Sequence, residues 1–301
     1  MQPSEGNTSL SSPENPHLDP QPLNSETQFS APPVTYSLPP VEALPPPAPQ
    51  AGENPVWSGW DVLLIAALTL GTIFLVQLIL ILVSLRFVYP HENWVEVAQK
   101  PGLALLSELL AYAVVAVYMI LLVEGKYQVR FWPAIRWNWP RSVWPWLGMG
   151  VLLFVVLSFL GRLLPMPEST PFEQFFKHLI DAYLTSVFAV TLGPLMEEVF
   201  FRGFLYPVLA RRVGVTWGIF LTALPFGLMH MFEYGYAWGI VLLIFLVGVV
   251  CTAVRASTGS VAASFLVHVA YNATDMLLIG AATGGFRHME KAAIMIGRFL
   301  H

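Results

Sequence analysis

Glu197, Glu198, Arg202, His230, His268 and Asn272 all sit inside apolar stretches of a 301-residue chain. A charged side chain at the centre of a bilayer costs about 3 kcal/mol or more, so each of these groups reads first as a functional one. His268 and Asn272 are an i, i+4 pair and project from one helix face, a turn apart. Glu198 and Arg202 share that spacing, whereas Glu197 points about 100° away from Glu198 around the helix. The ion pair is therefore assigned to Glu198 and Arg202, a structural role, and Glu197 is left free for chemistry. As a general base it would take a proton from water. His230 would share that proton or bind a metal. His268 and Asn272 would donate hydrogen bonds to the oxyanion that forms when water attacks a peptide carbonyl.

Positioning such groups takes helices that cross a membrane. Hydrophobic residues make up 55% of the chain and charged residues 11%, against about a quarter charged in soluble domains. Apolar segments span roughly 60–86, 103–123, 143–164, 178–212, 215–232, 236–254 and 258–279, each near the ~20 residues a spanning helix needs. A further short stretch follows Lys291. The expected fold is all-α, a polytopic transmembrane bundle of about seven or eight spans over 56–301. The fourth segment is too long for one straight span, and Gly193-Pro194 inside it predicts a kink or two helices. Taking Arg211, Val215 and Thr258 as helix ends on one side, Glu197 lies ~21 Å deep, His230 ~22 Å, His268 ~15 Å and Asn272 ~21 Å, at about 1.5 Å per residue. Separate helices thus carry their polar groups to about one level.

Lys126, Arg130, Arg136 and Arg141, then Arg211-Arg212, then Arg255 all fall on one side if segments alternate, and the positive-inside rule makes that side cytoplasmic. The terminal Arg287, Lys291 and Arg298 fall opposite unless the last stretch returns. Residues 1–55 hold 14 of the 25 prolines and neither Lys nor Arg, a composition expected to form a disordered tail on the cytoplasmic side; a polyproline ligand for a partner domain is the functional alternative. The N-terminus lacks a basic region followed by an apolar one, so the first apolar segment is expected to act as the insertion signal. Trp132, Trp137, Trp139, Trp144 and Trp146 flank the basic loop as an interfacial belt would. The net charge of -4 with dispersed Lys and Arg excludes a nucleic-acid partner. The expected partners are the lipid bilayer and a membrane-associated peptide or protein. The single cysteine, Cys251, excludes an intrachain disulfide and reads as an apolar filler.

Glu197-Glu198-Val199-Phe200-Phe201-Arg202-Gly203, then Phe226-Gly227-Leu228-Met229-His230, then His268-Val269-Ala270-Tyr271-Asn272 resemble the successive motifs of the CAAX protease and bacteriocin-processing (CPBP, formerly Abi) family. The resemblance covers about 190–275. It implies an intramembrane endopeptidase acting on membrane-associated or prenylated substrates. In that family pattern Glu197 and His230 activate water, His268 and Asn272 form the oxyanion site, and Glu198 and Arg202 are essential. Relatives are described both as metalloproteases and as metal-free glutamate proteases. A divalent metal such as Zn, if bound, would take Glu197, His230 and His268, but no His-Glu-x-x-His zinc signature is present.

Glu108 and Asp275 are expected to line the cavity, a direct role being the alternative for each, Phe226 to pack beside the site, and Gly203, Gly227 and Gly248 to be close helix contacts. His91, His178, His288 and His301 lie in loops or near ends. A proton- or ion-coupled transporter is the rival reading, since Glu and His at mid-membrane on a broken helix also build carrier sites; no inverted repeat is visible in the sequence. A non-catalytic scaffold or immunity protein is the third, against which the intact Glu197 and His230 weigh.

Overall fold

The computed structural model describes residues 53–167 and 169–289; the Pro-rich tail up to residue 52 and the stretch after Lys291 lie outside them. Every described element is helical. In chain order they are α1 (Gly59–Phe87), α2 (Trp94–Ala98), α3 (Pro101–Ile120) with a wide π turn (Leu121–Lys126), α4 (Phe131–Ala134), α5 (Trp144–Gly161), a 3-10 turn (Pro171–Phe176) and α6 (Leu179–Val190). There follow α7 (Leu192–Glu197), a π segment (Glu198–Leu205), α8 (Tyr206–Val213), α9 (Val215–Met229), α10 (Trp238–Thr258) and α11 (Val261–Ala282).

Among the described residues, 6 helices are long and apolar enough to cross a membrane. The seventh segment, α9, has 15 residues, which at about 1.5 Å each falls short of a ~30 Å hydrocarbon core. Its helix stops at Met229, and the apolar residues that follow turn back through 230–237, with Tyr236 in the left-handed region at φ 64°. Among the described residues the seven expected segments are thus 6 helices of spanning length and one shorter apolar helix, and the eighth lies outside them.

Local chemistry sets the ends. Ser58 and Asp61 cap α1 reciprocally, and Asp61 also accepts from Lys126 and from Tyr127, both at 2.6 Å, tying the start of α1 to the end of α3. Gly259, at φ 65°, gives α10 its left-handed stop. Ser260 then caps α11 through the Ala263 N–H. The fourth apolar segment does break, at Thr191, one turn before Pro194. A proline denies its N–H to the carbonyl four residues back and its ring crowds that carbonyl, so α6 ends at Val190 and α7 begins on a new course.

The main helix pairs are α5 on α11, α9 on α10, α1 on α3 and α8 on α9. Gly150 makes the first pair possible beside the polar residues of α11: a Cβ there would run into the Val267 carbonyl oxygen and lie 2.6 Å from the Ala270 Cβ. Gly150→Ala is therefore expected to cost about 1–3 kcal/mol through overpacking against rigid backbone, read as a lower thermal midpoint of the purified protein.

Candidate active site

Glu198 and Arg202 are both 0% exposed and pair at 2.8 Å. Arg202 donates further from Nη2 to the Gly248 carbonyl at 2.9 Å and from Nε to the Thr252 hydroxyl at 3.2 Å, and its guanidinium lies 4.4 Å from the centre of the Phe226 ring. Gly248 permits this closeness between α9 and α10, since a Cβ would come within 2.9 Å of Phe226. Besides Arg202, Glu198 accepts from the Ser264 hydroxyl at 2.5 Å and lies 2.9 Å from His268 Nδ1. Its two oxygens are thus fully engaged by α11 and its own helix.

His268 stands between two carboxylates. With Nδ1 donating to Glu198, its Nε2 faces Glu197 Oε2 at 3.6 Å. Among the described residues Glu197 has no Lys or Arg within ion-pair reach, and its side chain is 14% exposed where that of Glu198 is 0% exposed. A neutral His268 presents a lone pair to Glu197; to donate from Nε2 it carries a proton on each nitrogen. His230 caps α9, and its Nδ1 lies 2.9 Å from the Phe226 carbonyl. A carbonyl only accepts, so Nδ1 bears the proton and Nε2 is the basic nitrogen. The Phe226 ring separates the imidazoles, with its centre 5.4 Å from that of His230 and 5.7 Å from that of His268. Asn272 donates one amide hydrogen to the Ala189 carbonyl at 2.7 Å, at the end of α6 just before the break, and keeps a second for another acceptor.

Glu197, Glu198, Arg202 and His268 therefore form one contiguous group, with His230 across Phe226 and Asn272 one turn further along α11. Composition alone did not single out Ser264, Thr252 or the Gly248 carbonyl. Ser264 had a findable signal, lying four residues before His268 on the same helix face. Glu108 accepts from Tyr112 at 2.8 Å, and its charge and that of Glu197 act on one another. Glu233, in the turn after His230, also joins this field. Burial pushes its carboxyl up from 4.5 to about 7, with His230 pulling it down and Glu108 and Glu197 pushing it further up.

A group whose native form holds its proton more tightly than the unfolded chain destabilises the fold as it is made to ionise. Stability should accordingly fall as pH rises from 4.5 to about 7 and level off above. Glu233→Gln is expected to flatten that part of the profile, measured as thermal midpoint against pH.

The donors expected for a metal, Glu197, His230 and His268, are not drawn together as a ligand set. Among the described residues the atoms that do lie within 4.8 Å of one another belong to Glu198, Cys251 and His268. That set does not suit a cation either. Glu198 is committed to Arg202, Ser264 and His268, and Cys251, fully buried in the α10–α11 core, would have to ionise beside it. The residues present do not fit a metal in either arrangement.

The model of the type II CAAX prenyl endopeptidase Rce1-like family matches residues 179–274, a stretch that holds all six polar groups. An Escherichia coli protein described as an uncharacterized 24.3 kDa protein is 29% identical over 130 residues, which cover 42% of this chain and 59% of that protein. No solved structure matches the chain. The likeness to the Rce1-like type II CAAX prenyl endopeptidase family thus rests on the segment 179–274, which carries the Glu197-Glu198, His230 and His268 motifs.

Proposed function

We propose that this protein is an intramembrane endopeptidase that hydrolyses a peptide bond in membrane-associated or prenylated, CAAX-type substrates. The observation that carries the reading is the division of labour between adjacent carboxylates: Glu198 is fully buried and takes Arg202, Ser264 and His268 as donors, while Glu197 is partly exposed with the His268 imidazole 3.6 Å away. Glu197 takes a proton from water, whose other hydrogen is held by Nε2 of His230. The water oxygen attacks the carbonyl carbon, and the electron pair displaced onto the carbonyl oxygen is met by Nε2–H of His268 and the second amide hydrogen of Asn272. His268 carries both protons in this step, between two carboxylates that balance its charge. Collapse of the tetrahedral species breaks the C–N bond, and Glu197 returns its proton to the leaving amine.

The basic end of the bundle, with Arg136, Arg211 and Arg255, is assigned to the cytoplasm by the positive-inside rule. Purified protein should cut a prenylated or membrane-embedded reporter peptide, with cleavage lost in Glu197→Ala and His230→Ala and unaffected by chelator. Undiminished cutting in both variants would overturn the assignment, and sensitivity to chelator would restore a metal to the mechanism.

A further inference from the structure

The residues that enter α1 form a strap across the basic end of the bundle. Glu53 bonds Arg255 at 2.8 and 3.2 Å and Arg136 at 3.1 Å. Arg211, at the end of α8, donates to the Asn54 side chain and the Pro55 carbonyl, both at 3.3 Å. Arg212 lies 3.0 Å from where a Cβ on Gly59 would stand. A stretch of a few residues is thereby fixed to α8, to α10 and to the loop before α5.

The strap also reaches inward through one side chain. Trp57 is 1% exposed. Its indole N–H donates to the Phe204 carbonyl at 3.0 Å, and its ring packs on the Phe204 ring with centres 4.5 Å apart. Val199 and Val208 belong to the same core cluster. Phe204 lies in the π segment that begins with Glu198 and includes Arg202, directly after Glu197. Pro207 follows and supplies no N–H to the carbonyls four or five residues back, so the backbone ladder is already thinned beside the Phe204 carbonyl that Trp57 meets. A wide turn has poorer hydrogen-bond geometry than a regular one and needs support from its surroundings.

We propose that Trp57 is a positioning residue for the peptidase reaction: its N–H and ring, held by the Glu53 strap, fix the axial placement and rotation of the π segment, and with it the direction of Glu197. The inference rests on the endopeptidase reading for its effect on rate, although the coupling itself does not need a substrate. Geometry errors near 1 Å reduce rates about 100-fold, so a small rotation of this helix is enough to be seen.

The test uses the full chain in detergent, with Trp57→Phe to keep the ring and remove the N–H. Glu53→Gln serves as a second variant that loosens the strap without entering the core. Hydrogen–deuterium exchange of the amides in 197–207 should accelerate in both variants while α5 and α11 are unchanged. On the reporter peptide, kcat should fall about 10- to 100-fold in Trp57→Phe, less in Glu53→Gln, with KM unchanged. Unchanged exchange in 197–207, acceleration spread evenly over the bundle, or wild-type kcat in Trp57→Phe would each overturn the proposal. If wild-type protein cuts no reporter, the endopeptidase reading fails, and the exchange result alone decides whether Trp57 holds the π segment.

Discussion

Glu197→Gln is expected to lower cleavage about 1,000-fold, within the range that removal of a general base costs, and to leave the thermal midpoint unchanged. The substitution keeps volume and removes only the ability to take a proton. Among the described residues no Lys or Arg pairs with Glu197, and His268 keeps Glu198 as its nearer carboxylate, at 2.9 Å against 3.6 Å. Loss of rate without loss of stability is therefore the signature of chemistry at this carboxylate. A variant that cuts at the wild-type rate would move the base elsewhere, and Glu233 and Glu108 are the neighbouring carboxyls to examine next.

The neighbouring position should behave in the opposite way. Arg202→Met leaves Glu198 as a carboxylate at 0% exposure with donors from Ser264 and His268 but no guanidinium, while the Gly248 carbonyl keeps the Thr252 hydroxyl at 2.7 Å. Breaking a buried pair by removing one partner costs about 3–5 kcal/mol, so the single variant should accumulate poorly and unfold at a much lower temperature. The double variant Glu198→Gln with Arg202→Met should recover a good part of that loss, because it removes the orphaned charge as well. A single variant as stable as wild type would show that Arg202 does not neutralise Glu198.

The pairing of Glu198 with Arg202 could be read directly from i, i+4 spacing, because helix geometry brings those positions together whatever surrounds them. The grouping of His268 with both carboxylates was anticipated only as a common depth. Contact between helices depends on packing, here on Gly150 and Gly248, whose small size shows in the sequence without showing what it admits. The length of α9 was overestimated because 215–232 stays apolar past the end of the helix, and hydropathy does not register a backbone turn. Ser264 and Thr252 were passed over since single hydroxyls in apolar helices ordinarily bond their own backbone, as Thr222 does to Gly218. Trp57 carried no signal at all: its partner lies 147 residues away, and a tryptophan before a span is as well explained by the interface.

The π segment from Glu198 to Leu205 also bears on how this chain can vary in length. Each i→i+5 ring holds one residue more than the α-helical ring, so deleting a residue there would let the segment close into a regular helix. A deletion absorbed in that way leaves the flanking turns facing as before, whereas one taken in a regular helix turns everything beyond it by about 100°. A deletion between Ser264 and His268 in α11, for example, would carry His268 off the two carboxylates although every one of these side chains was still encoded. The π segment is thus a buffer for chain length, able to absorb a lost residue where the regular helices around it are not.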